Sequence, residues 1–185
     1  LEKKQYGRAV KLFEKALTNK PDNRDQLGVP YAKALTERAA ELLETNPRKA
    51  SSYLRKAIEF DRQNAMAQFL LGKSYTSSKN YPRAIEAYKT AIDLDPRFED
   101  ACFNLGFAYT VTRDYPRAEE MFRRTVALSP SYVDEAYFNL AMVQWKQGKK
   151  QQSIRNLELA LTINPDNVRA KKYFNRFKRD SRGFQ

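Results

Sequence analysis

Residues 69–130 carry one pattern twice, and every matched pair of positions lies 34 residues apart. Phe69, Gly72 and Tyr75 recur as Phe103, Gly106 and Tyr109. The run Asn80, Tyr81, Pro82, Arg83, Ala84 with Tyr88 recurs as Asp114, Tyr115, Pro116, Arg117, Ala118 with Phe122, and Pro96 recurs as Pro130. Two short helical segments per period, closed by a Pro, predict an all-α helix–turn–helix solenoid. In such an array each repeat touches only its neighbours, so a chain of 185 residues needs no central core.

Composition then narrows function by exclusion. The chain contains no histidine, which removes imidazole as base, metal ligand and pH switch. A single cysteine, Cys102, cannot build a disulfide framework or a zinc cluster, and its place on the packing stripe makes it a small buried residue. The six glycines are scattered singly, so no phosphate-cradling loop can form. Glu119 and Glu120 are expected on the solvent side of a second helix. No catalytic residue, metal or cofactor is therefore expected. No apolar run reaches the length of a membrane span and no signal peptide is visible.

Charge is uneven. From Lys146 onward eleven basic residues face three acidic ones, which places +8 of the net +12 in the last forty residues. The first reading of that end is the polar outer face a terminal repeat needs. The second is weak, salt-sensitive attraction to nucleic acid, anionic lipid or an acidic protein.

Taken in order, residues 1–23 read as a lone second helix with Val10, Phe13 and Leu17 on its apolar stripe. The missing partner helix suggests a piece of a longer protein. Residues 24–30 break the period, and Gly28 and Pro30 mark them as a loop. Residues 31–64 form a degraded repeat. Strict spacing would bury Glu37 and Arg38 in its first helix, so a register slid by one, with Leu35, Ala39 and Leu42 inside, is preferred. Residues 65–98 and 99–132 are clean repeats in which Asn80 and Asp114 cap the second helix. Residues 134–167 form a fourth, offset by one residue near 131–133. Gly72, Gly106 and Ala141 lie on the inner stripe of each first helix, where a side chain would hold apart helices that must approach closely; Ala84, Ala118 and Ser153 do the same at the start of each second helix, and Tyr88, Phe122 and Leu157 fill the space one turn later. Residues 168–180 place Ala170, Phe174 and Phe177 on one face as a closing helix, and 181–185 are expected to fray.

This order of small, aromatic and Pro positions resembles the tetratricopeptide repeat. The resemblance implies a right-handed superhelix whose first helices line a concave groove, used as a scaffold or adaptor for a protein or peptide segment. In α-helical terms the first helix of the third repeat has two stripes. Cys102, Leu105, Gly106 and Tyr109 pack, while Phe103, Phe107, Thr110 and Val111 form a second face beside Asn104. Phe69 and Lys73 correspond one repeat earlier, and Phe138, Asn139, Met142 and Trp145 one repeat later. A helix apolar on two sides is buried twice or presents a binding face. The peptide-binding candidates are therefore Phe69, Lys73, Phe103, Asn104, Phe107, Phe138, Asn139, Met142 and Trp145, with the two Asn residues holding a ligand backbone. An aromatic followed by Asn is close to the family average, so Phe107, Met142 and Trp145 carry most of the information.

Some members of the family clamp the terminal carboxylate of chaperone tails with Lys and Asn. Here Asp100 and Glu135 stand at the inward places and would repel a carboxylate, which disfavours that reading. A regulatory module for an enzyme outside this chain is a third reading.

Overall fold

The computed structural model describes residues 3–182, and among these there are ten α-helices and no strand. In order they are α1 (Lys3–Asn19), α2 (Arg24–Leu42), α3 (Pro47–Phe60), α4 (Ala65–Ser77), α5 (Tyr81–Leu94), α6 (Glu99–Val111), α7 (Tyr115–Leu128), α8 (Val133–Lys146), α9 (Lys150–Ile163) and α10 (Val168–Arg182). A 3-10 turn, Pro21–Asn23, joins the first two. Helices pack in consecutive pairs, as a helical solenoid requires. The chain divides into two compact units, Leu1–Pro96 and Arg97–Gln185.

The turn inside each of the last three pairs is built the same way. Lys79, Arg113 and Gly148 adopt the left-handed conformation, with φ of 58°, 63° and 77°. Each donates its N–H to the carbonyl three residues back, of Thr76, Thr110 and Trp145. The next residue donates five back: Asn80 to Tyr75 at 2.8 Å, Asp114 to Tyr109 at 2.9 Å and Lys149 to Gln144 at 2.9 Å. This doubly bonded ending satisfies carbonyls that a helix terminus leaves open. That same next residue is the N-cap of the following helix. Asn80 and Asp114 accept from the N–H of Arg83 and Arg117, both at 3.3 Å. Asn46 and Asn64 cap α3 and α4 likewise.

In the first unit, residues 24–30 are the opening turns of α2 and not the expected loop. Pro30 lies inside the helix, where it removes one backbone hydrogen bond. Tertiary packing outweighs that loss. Phe60 receives the Arg24 guanidinium over its ring at 4.6 Å, and the ring of Tyr31, fully buried, meets it edge-on at 5.0 Å. Gly28 is buried against the same residue. The Tyr31 hydroxyl donates to Glu14 at 3.1 Å, which Lys56 also reaches at 3.0 Å. Leu35 and Ala39 are fully buried, as the slid register requires, while Leu42 is only half-buried. Arg38 stays half-buried by pairing with Glu41 at 2.6 Å.

In the second unit, the Ser153 hydroxyl donates to the Ala141 carbonyl at 2.7 Å, and both residues are fully buried. Cys102 is a free, buried thiol. The closing helix runs on through Arg182, past the expected end at 180; Ser181 is helical, and residues 183–185 of the stretch expected to fray lie outside the described residues.

Glu119 corrects the expectation of a solvent-facing carboxylate: it is only 5% exposed, whereas Glu120 is exposed. Arg123 donates to its Oε1 at 2.7 Å, and Lys149 and Gln147 donate to Oε2 at 2.6 and 2.7 Å. Buried Gln144 adds a bond at 3.1 Å, so one carboxylate ties α7 to the end of α8 and the turn that leads into α9. Burial alone would raise its pKa from 4.5, but the hydrogen bonds from Lys149, Arg123, Gln144 and Gln147 outweigh it and hold the group at about 2. The resulting stability is present above pH 4.5 and is lost as pH falls toward 2. Urea unfolding at pH 6 and pH 3 should therefore show a steeper acid loss for the parent than for Glu119→Gln. Equal losses would remove Glu119 from the acid response.

Candidate functional site

The nine residues singled out from the sequence meet different fates. Phe69 and Lys73 belong to the first unit and the other seven to the second. Phe69 is core and not groove: it is buried against Tyr88, ring centroids 5.9 Å apart, and the exposed Lys73 lies beside its ring at 5.8 Å.

Phe138, Met142 and Trp145 likewise turn inward. Phe138 is 1% exposed in a cluster with Leu157, Ala160 and Phe177, and Met142 and Trp145 pack against that cluster half-buried. Trp145 stacks flat on Phe177 at 3.7 Å, and Tyr173 meets Phe138 edge-on at 5.7 Å. The cause is α10, whose Ala170 and Phe177 are buried against the second stripe of α8. The signal was present in the sequence. An amphipathic closing helix must bury its apolar face somewhere, and the unpaired stripe of α8 is its neighbour.

The remaining four do converge. Phe103, Asn104, Phe107 and Asn139 line one cleft of about 520 Å³ within the second unit. Phe107 stands 45% exposed at this cleft. Phe103 is half-buried, held edge-on by Phe122 at 5.6 Å and Tyr132 at 5.3 Å. Asn104 and Asn139 are oriented by their own helices, each donating an amide N–H to the carbonyl four residues back, Asp100 and Glu135, at 2.8 Å. The side-chain oxygen and the second N–H of each amide are left for a ligand backbone.

Sequence reasoning missed Tyr132 and Arg169, which complete the walls. The Tyr132 hydroxyl donates a short hydrogen bond to Asp100. Burial, reinforced by the Asp100 carboxylate, pushes that phenol far above its ordinary range, so it remains a donor. Arg169, at the start of α10, donates to Glu135 at 3.2 Å and lies over the Phe138 ring at 4.4 Å. The spacing could have found it, since Asp100, Glu135 and Arg169 stand 35 and 34 residues apart. Elsewhere on α10, Arg176 pairs with Asp180 at 3.6 Å and Lys178 with Glu158 at 3.5 Å, so part of the basic end is committed within the chain.

The cleft combines an aromatic wall, two carboxylates and two amides. Among the described residues no group of three or more His, Cys, Asp or Glu is placed to hold a metal ion, and no helix is long and apolar enough to cross a membrane.

A profile described as TPR repeat matches residues 72–110, and one described as tetratricopeptide repeat matches 134–167. No curated protein matches the chain. Among solved structures, the crystal structure of MamA superimposes with a TM-score of 0.72 at 22% identity, covering 90% of this chain and 92% of that one. Pseudomonas aeruginosa pilF gives a TM-score of 0.73 at 22% identity, covering 88% of this chain and 72% of its own. The first TPR of Spaghetti (RPAP3), bound to the HSP90 peptide SRMEEVD, gives 0.60 at 25% identity, covering 65% of this chain and 94% of its own.

Proposed function

We propose that this chain, which belongs to the tetratricopeptide-repeat family, is a protein–protein interaction scaffold whose second unit holds a segment of a partner protein in the Phe103–Phe107 cleft. Members of the family generally serve as interaction modules without catalysis of their own. The observation that carries the reading is Phe107, a large aromatic left 45% exposed beside a 520 Å³ cleft, while Met142, its counterpart one repeat later, is half-buried against the cluster that α10 completes. Exposed apolar surface beside a cleft marks an interaction site, and Phe is among the aromatics enriched at interface cores. Asn104 and Asn139 flank the anchor and can hold an extended backbone whatever its side chains. The RPAP3 repeat domain, similar in fold, binds a peptide.

The reading predicts an order of effects. Phe107→Ala should weaken a partner retained by the immobilised chain by about 2 kcal/mol, roughly thirtyfold. Asn104→Ala should cost less, about 0.5–1.5 kcal/mol. Neither should move the melting temperature appreciably, since Phe107 is exposed and Asn104 bonds only within its own helix. A partner that binds Phe107→Ala as tightly as the parent docks elsewhere, and the reading falls.

A further inference from the structure

The charge of the cleft says more about its occupant than its shape does. Glu135 and Phe138 form an acid–aromatic pair three residues apart on α8, and the chain fills it with its own guanidinium: Arg169 reaches the carboxylate at 3.2 Å and the ring at 4.4 Å. The preceding repeat presents the same pair, Asp100 and Phe103, in the same cleft. There the carboxylate receives only the neutral hydroxyl of Tyr132, and no lysine or arginine among the described residues pairs with it.

We propose that this cleft selects a partner segment bearing an arginine beside an apolar residue, the guanidinium meeting Asp100 and the Phe103 ring while its neighbour rests on Phe107. This deepens the groove reading above and rests on it. Arginine fits better than lysine, because its planar fork can bond a carboxylate and lie on an aromatic face at once. The amide oxygens of Asn104 and Asn139 supply further acceptors for its five N–H groups. An acidic segment would meet two carboxylates and one guanidinium already engaged by Glu135. The net charge of +12 does not oppose the arginine at close range. At physiological salt exposed charges are screened beyond about 8 Å, so the near carboxylates dominate.

The probes are capped Gly/Ser peptides differing only in a central Leu-Arg, Leu-Gln or Leu-Glu pair, titrated at physiological salt and followed by backbone amide NMR shifts. The Leu-Arg peptide is expected to bind about tenfold more tightly than Leu-Gln, with Leu-Glu weakest, and to shift residues 100–107 and 132–139. Asp100→Asn should erase the preference. Arg169→Ala, which frees Glu135, should raise Leu-Arg affinity several-fold, whereas Lys172→Ala on the same helix should not; equal gains would mean that overall charge alone is being read and would overturn the proposal. Equal binding of Leu-Arg and Leu-Gln, abolished for both by Phe107→Ala, would overturn the arginine preference and leave the groove standing. Absence of shifts at these residues with every peptide would overturn both.

Discussion

Deleting residues 168–185 is expected to make the chain scatter light and to lower its melting temperature sharply. The deletion strips α10 from the cluster of Phe138, Ile154, Leu157 and Ala160, and takes away the stacking partner of Trp145. An uncovered apolar face at the end of a solenoid is a template for association. Phe177→Ala tests the same contact without removing the helix. Phe177 is 2% exposed, and replacing a buried Phe by Ala commonly costs about 3–5 kcal/mol. For a chain of this size that corresponds to a melting temperature lower by about 10 °C. Trp145, the only tryptophan, gives an independent readout, since its emission should shift to the red when the flat contact at 3.7 Å is lost. A Phe177→Ala variant with the parent's melting curve and emission would show that α10 is not what seals the second unit.

Gly72→Ala should be among the most damaging single methyl additions in the chain, and Gly106→Ala close to neutral. A Cβ on Gly72 would lie 2.5 Å from one ring carbon of Tyr88 and 2.6 Å from the next. That ring is fully buried, and its hydroxyl is tied to Thr76 at 3.0 Å, so it has nowhere to swing. Overpacking of this kind costs about 1–3 kcal/mol and sometimes more, against about 1 kcal/mol that Ala gains over Gly in a helix. At Gly106 the nearest atoms of Phe122 would be 3.0–3.1 Å away, a crowding of a few tenths of an ångström that a ring without a hydroxyl tether can relieve. The two substitutions should differ by about 2 kcal/mol in urea unfolding, with Gly72→Ala the weaker. Equal stabilities would mean that the Tyr88 ring moves more freely than its burial implies.

The parts of the fold legible in the sequence are those fixed within one period. Asn80, Asp114, the two helix glycines and their aromatic partners all act over one turn or one helix pair, so spacing alone exposes them. What stayed hidden depends on contacts from further along the chain. Residues 24–30 carry two helix-breaking residues, yet they are helical because Phe60 packs on Gly28, Arg24 and Tyr31. Glu119 looks solvent-facing on its own helix, and only Gln144, Gln147 and Lys149 of the next repeat bury it. At the site, periodicity correctly exposed a second apolar stripe on α6 and α8. The 34-residue period alone could not say that α10 covers one and leaves Phe107 at the other bare; that signal lay in the amphipathic pattern of residues 168–180, outside the repeats.

The doubly used residue in the turns within each pair has a consequence for how this chain tolerates change in length. Asn80, Asp114 and Lys149 each close the bonds of one helix and open the next, so these turns have no slack, and an inserted residue would have to break one set of bonds. The junctions between pairs are not clamped in that way. Two of the three irregularities in the 34-residue period fall there: the seven added residues lengthen the start of α2, and the extra residue near 131–133 follows Ser129, itself left-handed at φ 52°, before α8; the third, the one-residue slide in repeat 31–64, is taken up in the four-residue turn 43–46 between α2 and α3. Loop grafts, tags and natural insertions therefore belong at the junction side of the array, where length can vary while the paired helices keep their register.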